Sequence, residues 1–246
     1  GTPTYSYNWT GGVNTQNRTN LISGTYQVTI TDTKGCSATT SATISQPVAA
    51  LSATAIITNV NCFGNSTGSI NLTVSGGTTA YTYNWSDAVT TQNRTNLAAG
   101  TYNATVTDAN GCSVTVSSAV TQPVAALSAT ATPNAVSCFG GNSGTIGLTV
   151  AGGTPAYTYH WTTGATIPNI ANLIAGTYAV TVTDAKACSV TTSAVITQPT
   201  SSLSLSSATT NVSCFGSNNG AIDLTVSGGT PTYSYNWTGG VNTQNR

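Results

Sequence analysis

Three observations predict an all-β chain built of tandem sandwich domains. The 246 residues repeat at a fixed interval of 76 residues with no insertions. Within each interval, short runs alternate apolar and small polar residues, the period-2 pattern of half-buried strands, and no segment has helical periodicity. Turn residues interrupt those runs about every 8–12 residues, as in sandwiches of short strands.

The repeat is marked by Trp9, Trp85, Trp161 and Trp237, by Cys36, Cys112 and Cys188, and by Cys62, Cys138 and Cys214. Tyr26, Tyr102 and Tyr178 keep the same interval, as do Pro47, Pro123 and Pro199. Residues 1–18 recur identically at 229–246, three intervals later. A unit of this size is too long for most solenoid turns and fits one small β-domain. Each unit closes on Gln-Pro, where proline blocks continuation of a central strand. Complete domains are therefore expected at 48–123 and 124–199. Residues 1–47 read as the back half of one domain and 200–246 as the front half of another, so the chain reads as a segment of a longer array. Linkers such as Val124-Ala125-Ala126 are too short and apolar for flexible tethers, so neighbouring domains are expected to abut in a semi-rigid, elongated rod.

In the second unit, Leu51–Ile57 alternates and reads as the first strand, and Ile70, Leu72 and Val74 mark the second. After the Gly76-Gly77-Thr78 turn, Tyr81, Tyr83 and Trp85 fall on one face of a third. That stripe reads as sandwich core, with a sugar-stacking platform as the alternative. Leu97-Ala98-Ala99-Gly100-Thr101-Tyr102 leads into Ala104 and Val106 and has the form of a tyrosine corner, which makes the sandwich immunoglobulin-like, with about seven strands. The Asp108-Ala109-Asn110-Gly111 turn follows, and Cys112, Val114 and Val116 begin the last strand.

Only 4% of the chain is Asp, Glu, Lys or Arg, against roughly 25% on average, and the net charge is zero. Five cations give no basic footprint for nucleic acid. No apolar run approaches the roughly 20 residues that span a bilayer, so no membrane insertion is expected. The outward strand positions form an uncharged Thr, Ser and Asn coat.

The string Cys-Phe-Gly-x3-Gly-x-Ile-x-Leu-x-Val-x-Gly-Gly-Thr-x-x-Tyr-x-Tyr-x-Trp, with small variations, runs from Cys62 to Trp85, Cys138 to Trp161 and Cys214 to Trp237. Leu-x-x-Gly-Thr-Tyr, Asp-x-x-Gly-Cys and Gln-Pro follow over Leu97–Pro123. Together they resemble the SprB repeat of very large surface adhesins in gliding Bacteroidota. The resemblance covers the whole chain, with departures at Ala187, where the other copies have Gly35 and Gly111, and at His160, where they have asparagine. It implies export by the type IX secretion system and display as long surface filaments that a motor moves and that grip the substratum. The same module also occurs as a generic surface spacer.

Six cysteines without Cys-x-x-Cys, and a lone histidine, point to disulfides in an oxidising, extracellular setting, with metal binding as the weaker reading. In an immunoglobulin-like topology Cys62 lies at the downstream end of its domain and Cys112 at the upstream end, roughly 25 Å apart, too far for a bond. The same topology brings Cys62 to Cys188 of the next domain, a staple across the junction. The alternative pairs Cys62 with Cys112 and Cys138 with Cys188 within domains. Cys36 and Cys214 complete the set.

Asp32, Asp108 and Asp184 recur without a second acid nearby, which fits a carboxylate bonded to its own turn better than a calcium site. Arg18, Arg94 and Arg246 share Thr-Gln-Asn-Arg, replaced by Ile167-Pro168-Asn169-Ile170 in the third unit, and read as a solvated loop, with a lateral contact at every third domain as a further possibility. His160 reads as a surface substitution.

No paired carboxylates, activated nucleophile or phosphate loop recurs, so no enzyme and no cofactor are expected. The sequence favours a secreted stalk whose partners are the neighbouring repeats, surface polysaccharide or the substratum, with homotypic filament assembly as a further possibility. An array of carbohydrate-binding modules and an inert spacer are the alternatives.

Overall fold

A computed structural model describes residues 1 and 3–245, and all regular elements among them are strands. Residues 1–47 hold β1 (Ser6–Trp9), β2 (Gly24–Thr31) and β3 (Ser37–Ile44), one antiparallel sheet in that order. The second sequence unit holds β4 (Ser52–Thr58), β5 (Gly68–Ser75), β6 (Thr82–Trp85), β7 (Arg94–Leu97), β8 (Gly100–Thr107) and β9 (Ser113–Val120). The third repeats them as β10 (Ser128–Asn134), β11 (Gly144–Ala151), β12 (Thr158–Trp161), β13 (Ile170–Leu173), β14 (Gly176–Thr183) and β15 (Ser189–Ile196). In the last segment β16 (Ser204–Thr210) pairs with β17 (Ala221–Ser227).

The second and third sequence units sort their strands identically, into sheets β4-β5-β7 and β6-β8-β9, and β10-β11-β13 and β12-β14-β15. First, second and fourth strands on one side and third, fifth and sixth on the other is the immunoglobulin arrangement without its D strand. Six strands therefore replace the seven or so expected. The chain between the third and fourth strands is used up by a tight turn, in which Trp85 N–H donates to the Val89 carbonyl at 2.9 Å and Ala88 N–H donates to the Trp85 carbonyl at 2.8 Å. The fourth strand has no alternating pattern to announce it. It is four residues long, contains an asparagine at positive φ (Asn96 at 56°, Asn172 at 58°), and in the third unit it meets a register shift between Gly144 and Ile146. Asparagine tolerates that conformation better than most residues, and bulges sit where pairing must bend.

Contacts divide the chain into two compact units, residues 1–57, 70–94 and 101–118, and residues 58–69, 95–100 and 119–246. In the first, Val28 of β2 and Trp85, Ala104 and Val106 of the second sequence unit are buried. The second contains one core that joins Val136, Ile146, Trp161, Val180, Val182 and Ile196 from the sheets β10-β11-β13 and β12-β14-β15. Trp161 is fully buried, and its indole N–H donates to the Ile167 carbonyl at 2.9 Å. Trp9, Trp85 and Trp237 make the same bond to Thr15, Thr91 and Thr243. The acceptor is backbone, so Thr and Ile serve equally at that position. Tyr178 O–H donates to the Ile174 carbonyl at 3.0 Å and Tyr26 O–H to the Ile22 carbonyl at 2.9 Å, the hydrogen bond that defines a tyrosine corner.

Candidate functional site at the junction of sequence units

The loop that carries Cys62 is fixed from three directions. Asn65 N–H donates to the Cys62 carbonyl at 3.1 Å, closing a turn that requires positive φ at Gly64 (79°). Gly64 N–H donates to Gln122 Oε1 at 2.8 Å, and Val60 N–H donates to the Thr121 carbonyl at 2.9 Å. Gln122 is the glutamine of Gln-Pro. In the third unit Gln198 accepts from Gly140 N–H in the same way, at 2.9 Å. The dipeptide that marks a unit's end in the sequence thus also anchors its cysteine loop, a role its spacing alone did not reveal.

The turn that carries Cys188 is organised by Asp184. Its Oδ1 accepts from Lys186 N–H at 2.8 Å and Cys188 N–H at 2.9 Å, and its Oδ2 accepts from Thr154 N–H at 2.8 Å. The carboxylate is 5% exposed, and the Thr154 N–H, followed by those of Cys188 and Lys186, holds its pKa below the ordinary value near 3.8, against the opposing effect of burial. Asp108 repeats this with Asn110, Cys112 and Thr78, and the bond from Thr78 N–H is again the main cause of its lowered pKa. The aspartate therefore reaches beyond its own turn, to the Gly-Gly-Thr turn between the second and third strands. Among the described residues no three His, Cys, Asp or Glu side chains gather into a metal site.

Gly-Gly-Thr is also where the linker docks. Gly153 N–H donates to the Ala125 carbonyl at 2.9 Å, and a Cβ on Gly152, whose φ is 70°, would overlap the Ala126 carbonyl oxygen. Gly77 N–H holds the Ala49 carbonyl at 2.9 Å in the preceding unit. Val48 and Val124 are fully exposed, so the apolar linker composition is not explained by burial. Backbone bonds to the double glycine tie the linker to the domain that follows it.

These elements bring Cys62 and Cys188 into a disulfide with Cα atoms 5.7 Å apart, across 126 residues. Cys36, Cys112, Cys138 and Cys214 are free, exposed thiols, so neither Cys62–Cys112 nor Cys138–Cys188 is formed. Phe63, Ala126, Leu127 and Ala187 line a shallow groove beside the bond. Ala187 holds φ = 64° where the equivalent Gly35 and Gly111 have 79° and 83°.

Arg94 does not lie in a solvated loop. Arg94 is 11% exposed, makes a bidentate pair with Asp87 (2.9 and 2.6 Å), and stacks over Trp85 and Tyr102 at 5.2 and 5.6 Å. Arg18 lies over Trp9 and Tyr26. Arg246 lies outside the described residues. In the third unit Ile170 is buried in the core, at 6% exposure, and Thr163 stands in place of Asp87. An apolar side chain and a stacked guanidinium fill the same place, because both present a flat or aliphatic surface to the Trp–Tyr pair. His160 is exposed.

Away from the junction, the outer face of the third–fifth–sixth-strand sheet is a hydroxyl array. Thr25 pairs with Thr43 at 3.0 Å, Thr29 with Thr39 at 3.0 Å, and Thr181 with Thr191 at 3.1 Å.

No curated protein matches the chain. Among solved structures it is similar to extracellular domains 3–5 of Drosophila OTK, at 12% identity and a TM-score of 0.33, over 78% of this chain and 85% of that one. It is also similar to the N-terminal eight Ig domains of Down Syndrome Cell Adhesion Molecule, at 13% identity and a TM-score of 0.26, over 80% of this chain and 37% of that one. The SprB repeat family matches three times, at residues 54–90, 130–166 and 206–242, each match running from a unit's first strand past its repeated tryptophan. With its cysteine loop, double glycine and tryptophan in register three times over, the chain carries three copies of a segment that matches the SprB repeat.

Proposed function

We propose that this chain is stalk from a secreted cell-surface filament: a non-enzymatic array of domains, 48–123 and 124–199 among them, that supplies length and stiffness. It holds surfaces through many weak neutral contacts, as in the gliding adhesins it resembles, and would be exported by the same type IX route in a member of the Bacteroidota. The observation that carries this reading is the covalent link from Cys62 of one sequence unit to Cys188 of the next. A bond placed between units serves continuity along the chain, and disulfides persist in extracellular settings. The threonine array supports the adhesive part, because each neutral hydrogen-bonding contact is weak and repetition raises avidity without new chemistry.

The chain immobilised at high density on beads, and the free chain, are to be compared on a dextran surface in dilute and in molar salt. The expected result is retention of the beads in both salts and no retention of the free chain. Tight binding of the free chain would instead indicate a carbohydrate-binding module. Beads that wash off would indicate a spacer, and loss of retention in salt would overturn neutral contacts as the mechanism.

A further inference from the structure

Cysteines bracket each junction in the sequence. Cys36 precedes β3 and Cys62 follows β4, Cys112 and Cys138 enclose β9 and β10 in the same way, and Cys188 and Cys214 enclose β15 and β16. Each bracketed segment is thus a unit's last strand, a linker and the next unit's first strand. The Cys62–Cys188 bond joins the end of the first segment to the start of the third and steps over the second, across 126 residues. A covalent path therefore runs along β4 to Cys62, over the bond and along β15, without entering residues 63–187.

The strands on that path and the residues off it respond differently to tension. A β-strand rises about 3.3 Å per residue, close to the fully extended limit of about 3.3–3.6 Å, so pulling on both its ends lengthens it little. β15 pairs with β14 from Ser189 to Ile196, and none of those bonds has to break for tension to pass along the strand. The residues off the path hold β5 to β14, with Trp85, Val106, Trp161 and Val182 at 2% exposure or less. Without the bond, the path would enter the third unit through β10 and leave through β15, strands of opposite sheets that share one core. Lengthening would then require pulling that core apart.

We propose that the Cys62–Cys188 bond is a load bypass with a thiol-sensitive release. Tension along the chain passes through β4, the bond and β15, while β5 to β14 stay folded, off the path of the load. Reduction brings residues 63–187 onto the path and frees roughly 430 Å of fully extended chain. Cys62 and Cys188 both line the shallow groove beside Phe63, which gives a small reductant access to the bond. A water-soluble phosphine attacks one Sγ and the S–S bond breaks. Water then supplies the oxygen of the phosphine oxide and the protons of the two thiols, and phosphorus gives up the two electrons. Only the source of the tension rests on the stalk reading; its route rests on the bond.

The full chain, tethered by tags at its two ends in optical tweezers, provides the test. The oxidised chain is expected to reach a contour length of roughly 410 Å, and C62S/C188S one of roughly 840 Å. Phosphine added while the oxidised chain is held under tension is expected to lengthen it by roughly 430 Å in separate steps, as folded sandwiches give way one after another. A single jump of that whole length would show that residues 63–187 were already unfolded behind the bond. An oxidised chain that reaches full length without reductant would show that the bond does not carry the load. Either result overturns the proposal. The stepwise lengthening is read on the unsubstituted chain, so it decides the matter even where C62S/C188S does not fold. Loss of bead retention on dextran leaves these lengths unchanged, so adhesion and load bypass fail separately.

Discussion

Ser118 is the one buried side-chain polar atom among the described residues without a hydrogen-bond partner, and its residue is 1% exposed. The same position is Ala42 in the first unit and Ala194 in the third. A buried hydroxyl with no partner loses its hydration and gains nothing, so Ser118→Ala is expected to stabilise the chain by about 1 kcal/mol, read as a raised midpoint in chemical denaturation. Asp184 works in the opposite direction. Its pKa in the folded chain is lowered, so the ionised form favours folding. That contribution is complete above the unfolded value near 3.8 and is lost as the pH falls through the lower folded value. Stability should therefore be flat from about pH 5 to 8 and decline in acid, and Asp184→Asn should lower the plateau and flatten the acid limb, measured as melting temperature against pH. An unchanged acid limb in that variant would show that Asp184 is not the titrating group.

At the scale of elements, one tetrapeptide shows what the sequence can and cannot specify. Ser-Tyr-Asn-Trp is strand β1 at 6–9, where it pairs with Val28–Thr31 of β2, and at 234–237 the identical residues are not in a strand. Alternation states which face is apolar, while a backbone partner decides whether the strand forms. For that reason the long strands, the tryptophan stripe and the tyrosine corner were legible in the sequence, and β7 and β13 were not. Their four residues carry an asparagine kink in place of a period. The arginine was misread for a related reason: loss of charge in one unit of three looked like solvent exposure, whereas Arg94 and Ile170 fill the same space by different means. Arg94→Ala should thus lower the melting temperature by roughly 5 °C through lost packing. The pair D87T/R94I, which copies the third unit, should restore it to within about 2 °C. A double variant as unstable as Arg94→Ala would show that the two solutions are not interchangeable.

At the scale of the whole molecule, 4% charge leaves little for salt to screen, and the Arg94–Asp87 ion pair lies within a single sequence unit. Beyond the peptide chain itself, the Cys62–Cys188 disulfide links one sequence unit to the next. Closing a loop of this length removes enough freedom from the unfolded chain to stabilise it typically by 2–4 kcal/mol, about the stability of a marginal small domain. Because the other four cysteines are already free thiols, a reductant acts on this bond alone. The melting transition is expected to move by no more than about 2 °C between dilute and molar sodium chloride, since exposed charge contacts are few. The same transition should fall by roughly 5–10 °C on addition of a phosphine reductant. The variant C62S/C188S separates the bond from side effects of reduction: it should melt at the reduced temperature and not respond to reductant at all. A further drop in that variant would mean that other disulfides hold the chain, and an unreduced melting temperature would mean that the units cohere without the staple.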